Sequence, residues 1–308
     1  MSIGSRSLAR VIRATAWALL ASGLFASGAT AGLLEVVTTA GSASGVPDTE
    51  VRDALVGPIS TTSTTQFGSP PGQSSSFGTS SAAADYGHLA VSGSGATYGS
   101  VSAPALTSDV TSTASWRDSF TVLPTDLSII GSAAHGIALV GLTGTTSVSV
   151  GSPLGSLASA HVAYTVTVNL TGGSGAQSGV LLQTPGEAPQ FSGDPLPLVL
   201  AIPFDVALGS PVDVFVQLTE VGDTNVSAGF GGNNTFDGDF SHSLRWGGIS
   251  EMRDDQGNLI NFSVTSDSGF DYSKPVPEPT SAGLLSLEAL FVLGLVGIRL
   301  TLGVAAPR

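Results

Sequence analysis

The sequence predicts an all-β protein: an antiparallel β-sandwich or jelly-roll-like domain, flanked by an N-terminal signal helix and a C-terminal single transmembrane helix. Two observations predict the domain, namely runs of residues with period-two alternation and frequent Gly, Pro and Asp turn signals between them. A third is that the middle of the chain lacks long amphipathic helical patterns, which disfavours parallel α/β folds. With 308 residues, of which 42% are hydrophobic, the chain is long enough for strands to supply a sizeable core.

Three segments carry the clearest strand signal. In "HVAYTVTVNL" (161–170) five apolar residues from Val162 to Leu170 alternate with Ala, Thr and Asn. "VDVFVQL" (212–218) repeats this alternation, and "FDGDFSHSLRW" (236–246) places Phe and Trp side chains on one face. Further strands are expected near 86–92, 110–122, 136–150, 179–184, 197–204 and 259–265. "RDDQGNLI" predicts a hairpin connection in which Gly257 has positive φ.

The sandwich domain is predicted over residues 85–273, after a Ser/Thr/Gly-rich segment at 32–84. Within that segment, residues 57–82 are nearly all Ser, Thr, Gly and Pro, which predicts a linker or an irregular strand pair. "EVRDALVG" (50–57) is ambiguous and is compatible with a short helix. We therefore expect residues 32–84 to be partly a linker.

Residues 1–31 have the three parts of a secretory signal peptide. A basic start precedes the apolar run 14–25, and Ala29-Thr30-Ala31 forms a small-residue cleavage site before Gly32. The basic residues are Arg6, Arg10 and Arg13. The apolar run is too short to cross a bilayer core of ~30 Å. This segment predicts the export translocon and signal peptidase as partners, with a mature N-terminus at Gly32.

The tail, residues 274–308, has a different composition from the middle of the chain. Val276-Pro277-Glu278-Pro279 interrupts any preceding strand, since proline cannot donate to a strand ladder. A mostly apolar stretch, 282–298, predicts one helix, and Arg299 follows it. This arrangement resembles the PEP-CTERM sorting signal of exported bacterial proteins, in which a Pro-Glu-Pro motif precedes a membrane helix and a basic end. The tail departs from that pattern at Glu288, inside the apolar run, and in ending as "LTLGVAAPR" rather than in an arginine cluster.

In this comparison Pro277, Glu278 and Pro279 match the motif, and Arg299 matches the start of the basic end. The resemblance implies recognition by an exosortase-type sorting protease. It also implies export, transient anchoring in the inner membrane, and a final place on the cell surface or outside the cell. The implied setting is an exopolysaccharide or biofilm matrix.

Charge and cysteine content exclude several classes of function. Residues 32–275 keep five of the ten basic residues and 21 of the 23 acidic ones, a net charge of −16. Such a surface repels phosphate backbones, so no nucleic-acid partner is predicted. The chain has no cysteine, which excludes disulfides and thiol chemistry and leaves oxygen and histidine as metal ligands.

No pattern in the sequence specifies a reaction. The four histidines are His88, His135, His161 and His242. No G-x-S-x-G elbow, phosphate-binding glycine motif or H-E-x-x-H pattern is present. The histidines are predicted to be satisfied or edge residues, and no catalytic residue is predicted. A hydrolase, the third-ranked function, would require two carboxylates facing each other across a cleft.

Calcium is the one ion that the sequence suggests, because carboxylate and amide oxygens cluster in predicted loops. The calcium candidates are Asp223, Asp237 and Asp239, with Asn233 and Asn234 nearby. A second group contains Asp254, Asp255 and Asn258. Neither group has the spacing of an EF-hand, and turns favour the same residue types. A plain solvated loop is the preferred interpretation, and no cofactor is predicted.

The leading prediction is therefore a non-enzymatic, exported structural protein of the cell surface or matrix. The alternative is a carbohydrate-binding module of the same architecture, with aromatic side chains as stacking platforms. The candidate platforms are Tyr86, Tyr98, Trp116 and Trp246. An exposed aromatic row on one sheet would favour binding, and buried aromatic residues would favour the structural role.

Overall fold

Strands make up nearly all of the regular structure in the computed structural model, which describes residues 32–42, 47–68, 74–100 and 105–277. The strands are β1 (Leu33–Ser42), β2 (Asp48–Ala54), β3 (Ile59–Gly68), β4 (Ser75–Asp85), β5 (His88–Gly99), β6 (Leu106–Pro124), β7 (Ala133–Leu142), β8 (Thr145–Val150), β9 (Ser159–Leu170), β10 (Gly173–Gln183), β11 (Gln190–Gly193), β12 (Leu198–Ala207), β13 (Pro211–Val226), β14 (Gly232–Asp254) and β15 (Phe262–Ser266). One short 3-10 turn, Leu127–Ile129, is the only helical element in these ranges. The all-β class predicted from the sequence is confirmed.

The first sheet has eight strands in the order β11-β10-β9-β13-β6-β1-β2, with β15 also paired to β6. Every neighbouring pair is antiparallel. The long strand β6 is central, because β13 covers one of its edges while β1 and β15 share the other.

The second sheet has seven strands in the order β12-β7-β14-β5-β4-β3, with β8 also paired to β14. Its pairs are antiparallel as well. Strand β14 plays the central role here. Strand β5 lies along one edge of β14, while β8 pairs with its first half and β7 with its second half.

The period-two alternation places the predicted apolar residues between the sheets. In β9 the side chains from Val162 to Val168 on one face are at most 1% exposed, as predicted. In β14, Phe236, Phe240, Leu244 and Trp246 are at most 2% exposed. Gly257 has φ 83° in the turn after β14, which confirms the predicted hairpin geometry.

The two sheets pack face to face as a sandwich. Aromatic rings meet across the interface, with ring centroids 6.4 Å apart for Phe120 and Phe204 and 5.3 Å apart for Tyr164 and Phe240. Hydroxyl groups also cross it, since Ser108 Oγ donates to the Phe77 carbonyl at 2.6 Å. The core therefore contains polar links as well as apolar packing.

Residues 33–85 contain more strand than the sequence predicts, although the strand pair, one of the two alternatives for 57–82, is present as β3 and β4. The segment expected to be partly a linker contains four paired strands, and β1 lies inside the first sheet between β2 and β6. Most of the ambiguous stretch 50–57 belongs to strand β2 rather than to a helix. Backbone pairing on β1 and β4 and hydroxyl contacts such as Thr38 Oγ1 to Ser63 Oγ, 2.9 Å apart, order this polar segment.

Residues 267–275, which we call the strap, follow β15 and pack against residues of β6 and β14 through Tyr272. The side chain of Tyr272 is fully buried, and its ring stacks on Phe120 with centroids 4.9 Å apart. Trp246 Nε1 donates to the Tyr272 carbonyl at 2.8 Å. The described residues through Pro275 belong to one compact unit, and a second unit begins at Val276.

The predicted flanking segments fall mostly outside the described residues. These include the signal peptide with Ala29 and Ala31, and the tail from Glu278, with Pro279, the apolar stretch 282–298 and Arg299. Gly32 is the first described residue, and Val276 and Pro277 are the last two. Among the described residues, no helix has the length and apolar character needed to span a membrane.

Candidate functional site

The outer face of the second sheet carries two adjacent rows of hydroxyl and carboxylate side chains. Strand register across β3, β4, β5, β14 and β8 aligns them. The first row is Thr64, Thr79, Ser94, Asp237 and Ser147, and the second is Thr62, Ser81, Ser92, Asp239 and Thr145. Residues that are far apart in sequence thus form one continuous polar surface.

Alternation within each strand directs these side chains outward. Asp237 and Asp239 are exposed and flank Gly238, while Phe236 and Phe240 on the same strand are buried. Since successive side chains of a strand point to opposite faces, the apolar residues of β14 fix the outward direction of both aspartates. Thr79 is directed outward in the same way, between the buried residues Gly78 and Ser80 of β4.

Two neighbouring depressions lie on this face. One, of about 320 Å³, is lined by Thr79, Ser92, Gly93, Ser94, Asp237, Gly238, Asp239 and Ser241. The other, of about 390 Å³, is lined by Thr64, Thr65, Gln66, Phe77, Gly78 and Thr79. They share Thr79 and therefore lie side by side across β3, β4, β5 and β14. We refer to the two depressions together as the groove.

Two aromatic side chains are exposed beside the groove. Phe77 on β4 is 40% exposed and Tyr98 on β5 is 38% exposed. Phe77 pairs with Ala96, and Tyr98 lies two residues further along β5, so the two rings are diagonal neighbours on one face. Their exposed surface provides an apolar platform next to the rows of hydroxyl groups.

A buried carboxyl group lies beneath the groove. Glu220 on β13 is 1% exposed, and neither of its carboxylate oxygens has a hydrogen-bond partner in the described part of the chain. Its Oε1 faces the glycine pair of the second sheet. A Cβ would lie 2.1 Å from Oε1 if built on Gly238, and 2.8 Å if built on Gly93. The glycines thus provide the space that the Glu220 side chain occupies.

Burial and neighbouring carboxylates raise the pKa values of two acidic groups at the groove, Glu220 and Asp237. Burial raises the pKa of Glu220 well above its ordinary value, and the nearby carboxylates of Asp237 and Asp239 raise it further. Partial burial raises the pKa of Asp237 as well, with a smaller contribution from Asp239. Glu220 is therefore a neutral acid in the fold well above the pH at which exposed glutamates ionise, and the negative charge of the groove resides at its surface.

The three calcium candidates do not come together. Asp223 lies on the outer face of the first sheet, where its Oδ1 is 2.9 Å from His161 Nδ1, whereas Asp237 and Asp239 lie on the outer face of the second sheet. The predicted loop is wrong, because β13 continues to Val226 and β14 begins at Gly232, which places all three aspartates in strands. The described residues contain no group of three or more His, Asp or Glu arranged to hold a metal ion.

Asn234 of that predicted loop and Asp254 of the second acidic group take structural roles. Asn234 is fully buried, and its side chain accepts from Ser152 Oγ at 3.1 Å. Asp254 Oδ1 accepts from the backbone N–H groups of Gln256 and Asn258 at 2.9 and 2.8 Å. Asp254 thus stabilises the turn after β14, which is a common use of aspartate in turns.

Two of the histidines are paired with carboxylates. His135 is exposed, with Nδ1 2.6 Å from Asp205 and Nε2 3.3 Å from Asp255. His161 is 8% exposed and pairs with Asp223. Burial lowers the pKa of His161, but the Asp223 carboxylate beside it outweighs that effect, and the net pKa is raised.

Of the four aromatic platforms predicted from the sequence, two are buried and a third, Tyr86, is partly buried. Trp116 and Trp246 are fully buried, and the Tyr86 hydroxyl donates to the Leu55 carbonyl at 3.0 Å. Tyr98 is the exposed member of the predicted set. Phe77 was not among the predicted platforms, because it lies in the Ser/Thr/Gly-rich stretch interpreted as a linker or an irregular strand pair, although alternation with the small residues of β4 was a usable signal.

No protein-family model, no curated protein and no solved structure matches this chain.

Proposed function

We propose that this protein is a non-enzymatic, exported structural protein of the cell surface or exopolysaccharide matrix, delivered by its C-terminal sorting tail. The observation that carries the proposal is the order of elements at the C-terminus. The compact unit ends at Pro275, and the Pro-Glu-Pro motif begins at Pro277, followed in sequence by the apolar stretch 282–298 and Arg299. A protease that reads such a tail would meet its motif directly after the folded domain.

The proposed route has two processing steps. Signal peptidase cuts after Ala31 during export through the translocon, and strand β1 then begins one residue after the new N-terminus. The apolar tail holds the protein transiently in the inner membrane. An exosortase-type protease then cuts near the motif, which leaves the sandwich at the cell surface or outside the cell.

The outer faces of the sandwich suit a structural role in a hydrated matrix. They present Ser, Thr and Asp side chains, and the charge of residues 32–275 is strongly negative. Surface charge far from zero keeps such domains apart and soluble.

A second candidate function, carbohydrate binding, has a specific observation in its favour. Phe77 and Tyr98 form an exposed aromatic pair beside a groove rich in hydrogen-bonding groups. Binding pockets often combine apolar surface with a few placed polar groups. This candidate is compatible with the leading one, since a structural protein of a polysaccharide matrix can also bind the polysaccharide.

Mass spectrometry of both termini of the protein made in a host with an exosortase tests the proposal. We expect Gly32 at the N-terminus and a C-terminus close to Pro277–Pro279. Replacing Pro277, Glu278 and Pro279 by alanine should retain the uncut protein in the membrane fraction, and Pro275→Ala is the matched control that should be cut normally. Export of an uncut wild-type chain, or equal cutting of the triple variant, would refute the sorting role.

A further inference from the structure

We infer that the groove on the second sheet binds an extended neutral glycan chain. The inference rests on the proposed extracellular role, because that role places the domain among polysaccharides. It goes further by assigning the binding face, the residues that would hold the ligand and the class of glycan.

The dimensions of the groove suit an extended chain rather than a compact small molecule. The groove runs across four neighbouring strands, from β3 to β14. Three interstrand spacings of about 4.8 Å make it roughly 14 Å long in this direction. Its lining side chains belong mostly to the outer face of the sheet, so a short stretch of a longer polymer can lie across them.

The aromatic pair provides the apolar part of the interaction. Phe77 and Tyr98 each expose about 40% of their surface on the same outer face. A sugar ring has an apolar face of C–H groups, which carry partial positive charge. The negative face of an aromatic ring attracts such groups, and stacking covers apolar area on both partners. Two neighbouring rings favour a ligand with repeated units.

The two rows of polar side chains provide the hydrogen bonds of the proposed interaction, which depend on direction. Thr79, Ser92 and Ser94 carry hydroxyl groups that both donate and accept hydrogen bonds. Asp237 and Asp239 carry carboxylates, which accept strong charge-assisted bonds from sugar hydroxyls. The spacing of these side chains is set by the pairing of three strands, β4, β5 and β14, so the arrangement is formed before the ligand arrives, which lowers the entropic cost of binding.

The charge of the face selects the class of glycan. Asp237 and Asp239 line the groove, and the domain as a whole is acidic. A uronate or sulfated polymer would bring like charges close to these carboxylates, which costs free energy. A neutral polymer brings hydroxyl donors and avoids this repulsion.

Affinity electrophoresis of the exported protein tests the inference. The gels contain neutral polysaccharides (hydroxyethylcellulose, dextran or galactomannan) or the anionic polymer alginate. We expect retardation in at least one neutral gel and none with alginate. The variant with Phe77→Ala and Tyr98→Ala should bind about ten-fold more weakly or worse, and Asp237→Asn with Asp239→Asn should also weaken binding.

Phe191→Ala is the matched control, because Phe191 is 42% exposed but lies on β11 of the first sheet. Circular dichroism confirms that each variant is folded. No retardation in any neutral gel, stronger binding to alginate, or equal binding by folded groove variants would overturn the inference. A chain that is cut and exported but binds no glycan refutes this inference alone, whereas a chain that binds but is never cut refutes the sorting proposal alone.

Discussion

The hydroxyl of Tyr272 donates a hydrogen bond to Oδ2 of Asp118 at 3.0 Å, between residues 154 positions apart. Asp118 also accepts from the backbone N–H of Ser268 at 3.2 Å and from the Ser268 hydroxyl. Burial and the Asp118 carboxylate raise the pKa of Tyr272 above its ordinary value, so the phenol stays protonated and remains a donor. This network ties the strap to β6 immediately before the tail begins.

Tyr272→Phe should destabilise the domain by about 1–2 kcal/mol, since it removes one donor from a buried carboxylate while keeping the ring in place. Urea denaturation of the purified protein measures the change. Tyr98→Phe is the control, because Tyr98 is 38% exposed and its change should stay within about 0.5 kcal/mol. Equal stability of Tyr272→Phe and wild type would mean that the hydrogen bond from Tyr272 to Asp118 contributes little to the stability of the domain.

Glu220 should make the domain less stable as pH rises. Its pKa is raised in the fold above the ordinary value of 4.5, so its contribution is fully present below about pH 4.5 and is lost as pH increases toward the folded pKa. His161 and Asp237, whose pKa values are also raised, act in the same direction. We therefore expect lower stability at pH 8 than at pH 5.

Glu220→Gln isolates this contribution. The variant should show a weaker decline between pH 5 and pH 8, and at pH 8 it should exceed the wild type by about 1–3 kcal/mol, because in the wild type only the unfolded chain gains the free energy of ionising this group. Thermal or urea unfolding at several pH values measures both effects. Glu50→Gln, on the exposed edge strand β2, controls for loss of a surface carboxylate. A wild type that gains stability from pH 5 to pH 8 in step with the variant would contradict the assignment.

Asp223→Asn should lower the pKa of His161. The carboxylate of Asp223 offsets the effect of burial on the imidazole, and without it burial dominates and favours the neutral ring. Titration of the His161 ring signals by NMR measures the shift. Asp109→Asn removes a weaker, more distant contribution and should lower this pKa by less. An unchanged His161 titration in Asp223→Asn would show that the pair has no electrostatic role.

Gly222→Ala should destabilise the domain by about 1–3 kcal/mol through overpacking. A Cβ at Gly222 would lie 2.1 Å from Cε2 of the Phe236 ring, which is 2% exposed and whose opposite edge lies close to Gly95. Gly141→Ala is the control, because a Cβ there meets nothing within 4 Å. In a double-mutant cycle, Phe236→Leu should reduce the cost of Gly222→Ala. If the free-energy changes of the two substitutions are additive, the contact between residue 222 and Phe236 is not the source of the destabilisation.

Sequence patterns identified the strands in which inward residues are apolar. The alternation in β9 and β14 predicted their buried faces because burying apolar area is favourable and a strand has a period of two. The same logic failed for β3 and β4, where Thr and Ser point inward. Hydroxyl contacts between the sheets, such as Ser63 Oγ to the Thr38 carbonyl at 3.2 Å, order these polar strands, and hydropathy does not record such contacts.

The sequence by itself determined which side chains share a face of one strand, and so it placed Phe236 and Phe240 together on β14, although it also predicted a loop for Asp237 and Asp239. Only the tertiary structure decided which side chains of other strands lie next to Asp237 and Asp239. Pairing brings Ser94 and Thr79 into the row of Asp237, and it separates Asp223 from both aspartates by the thickness of the sandwich. The physical reason is that alternation is a local property of the chain, whereas strand order and register depend on long-range packing that no single segment encodes.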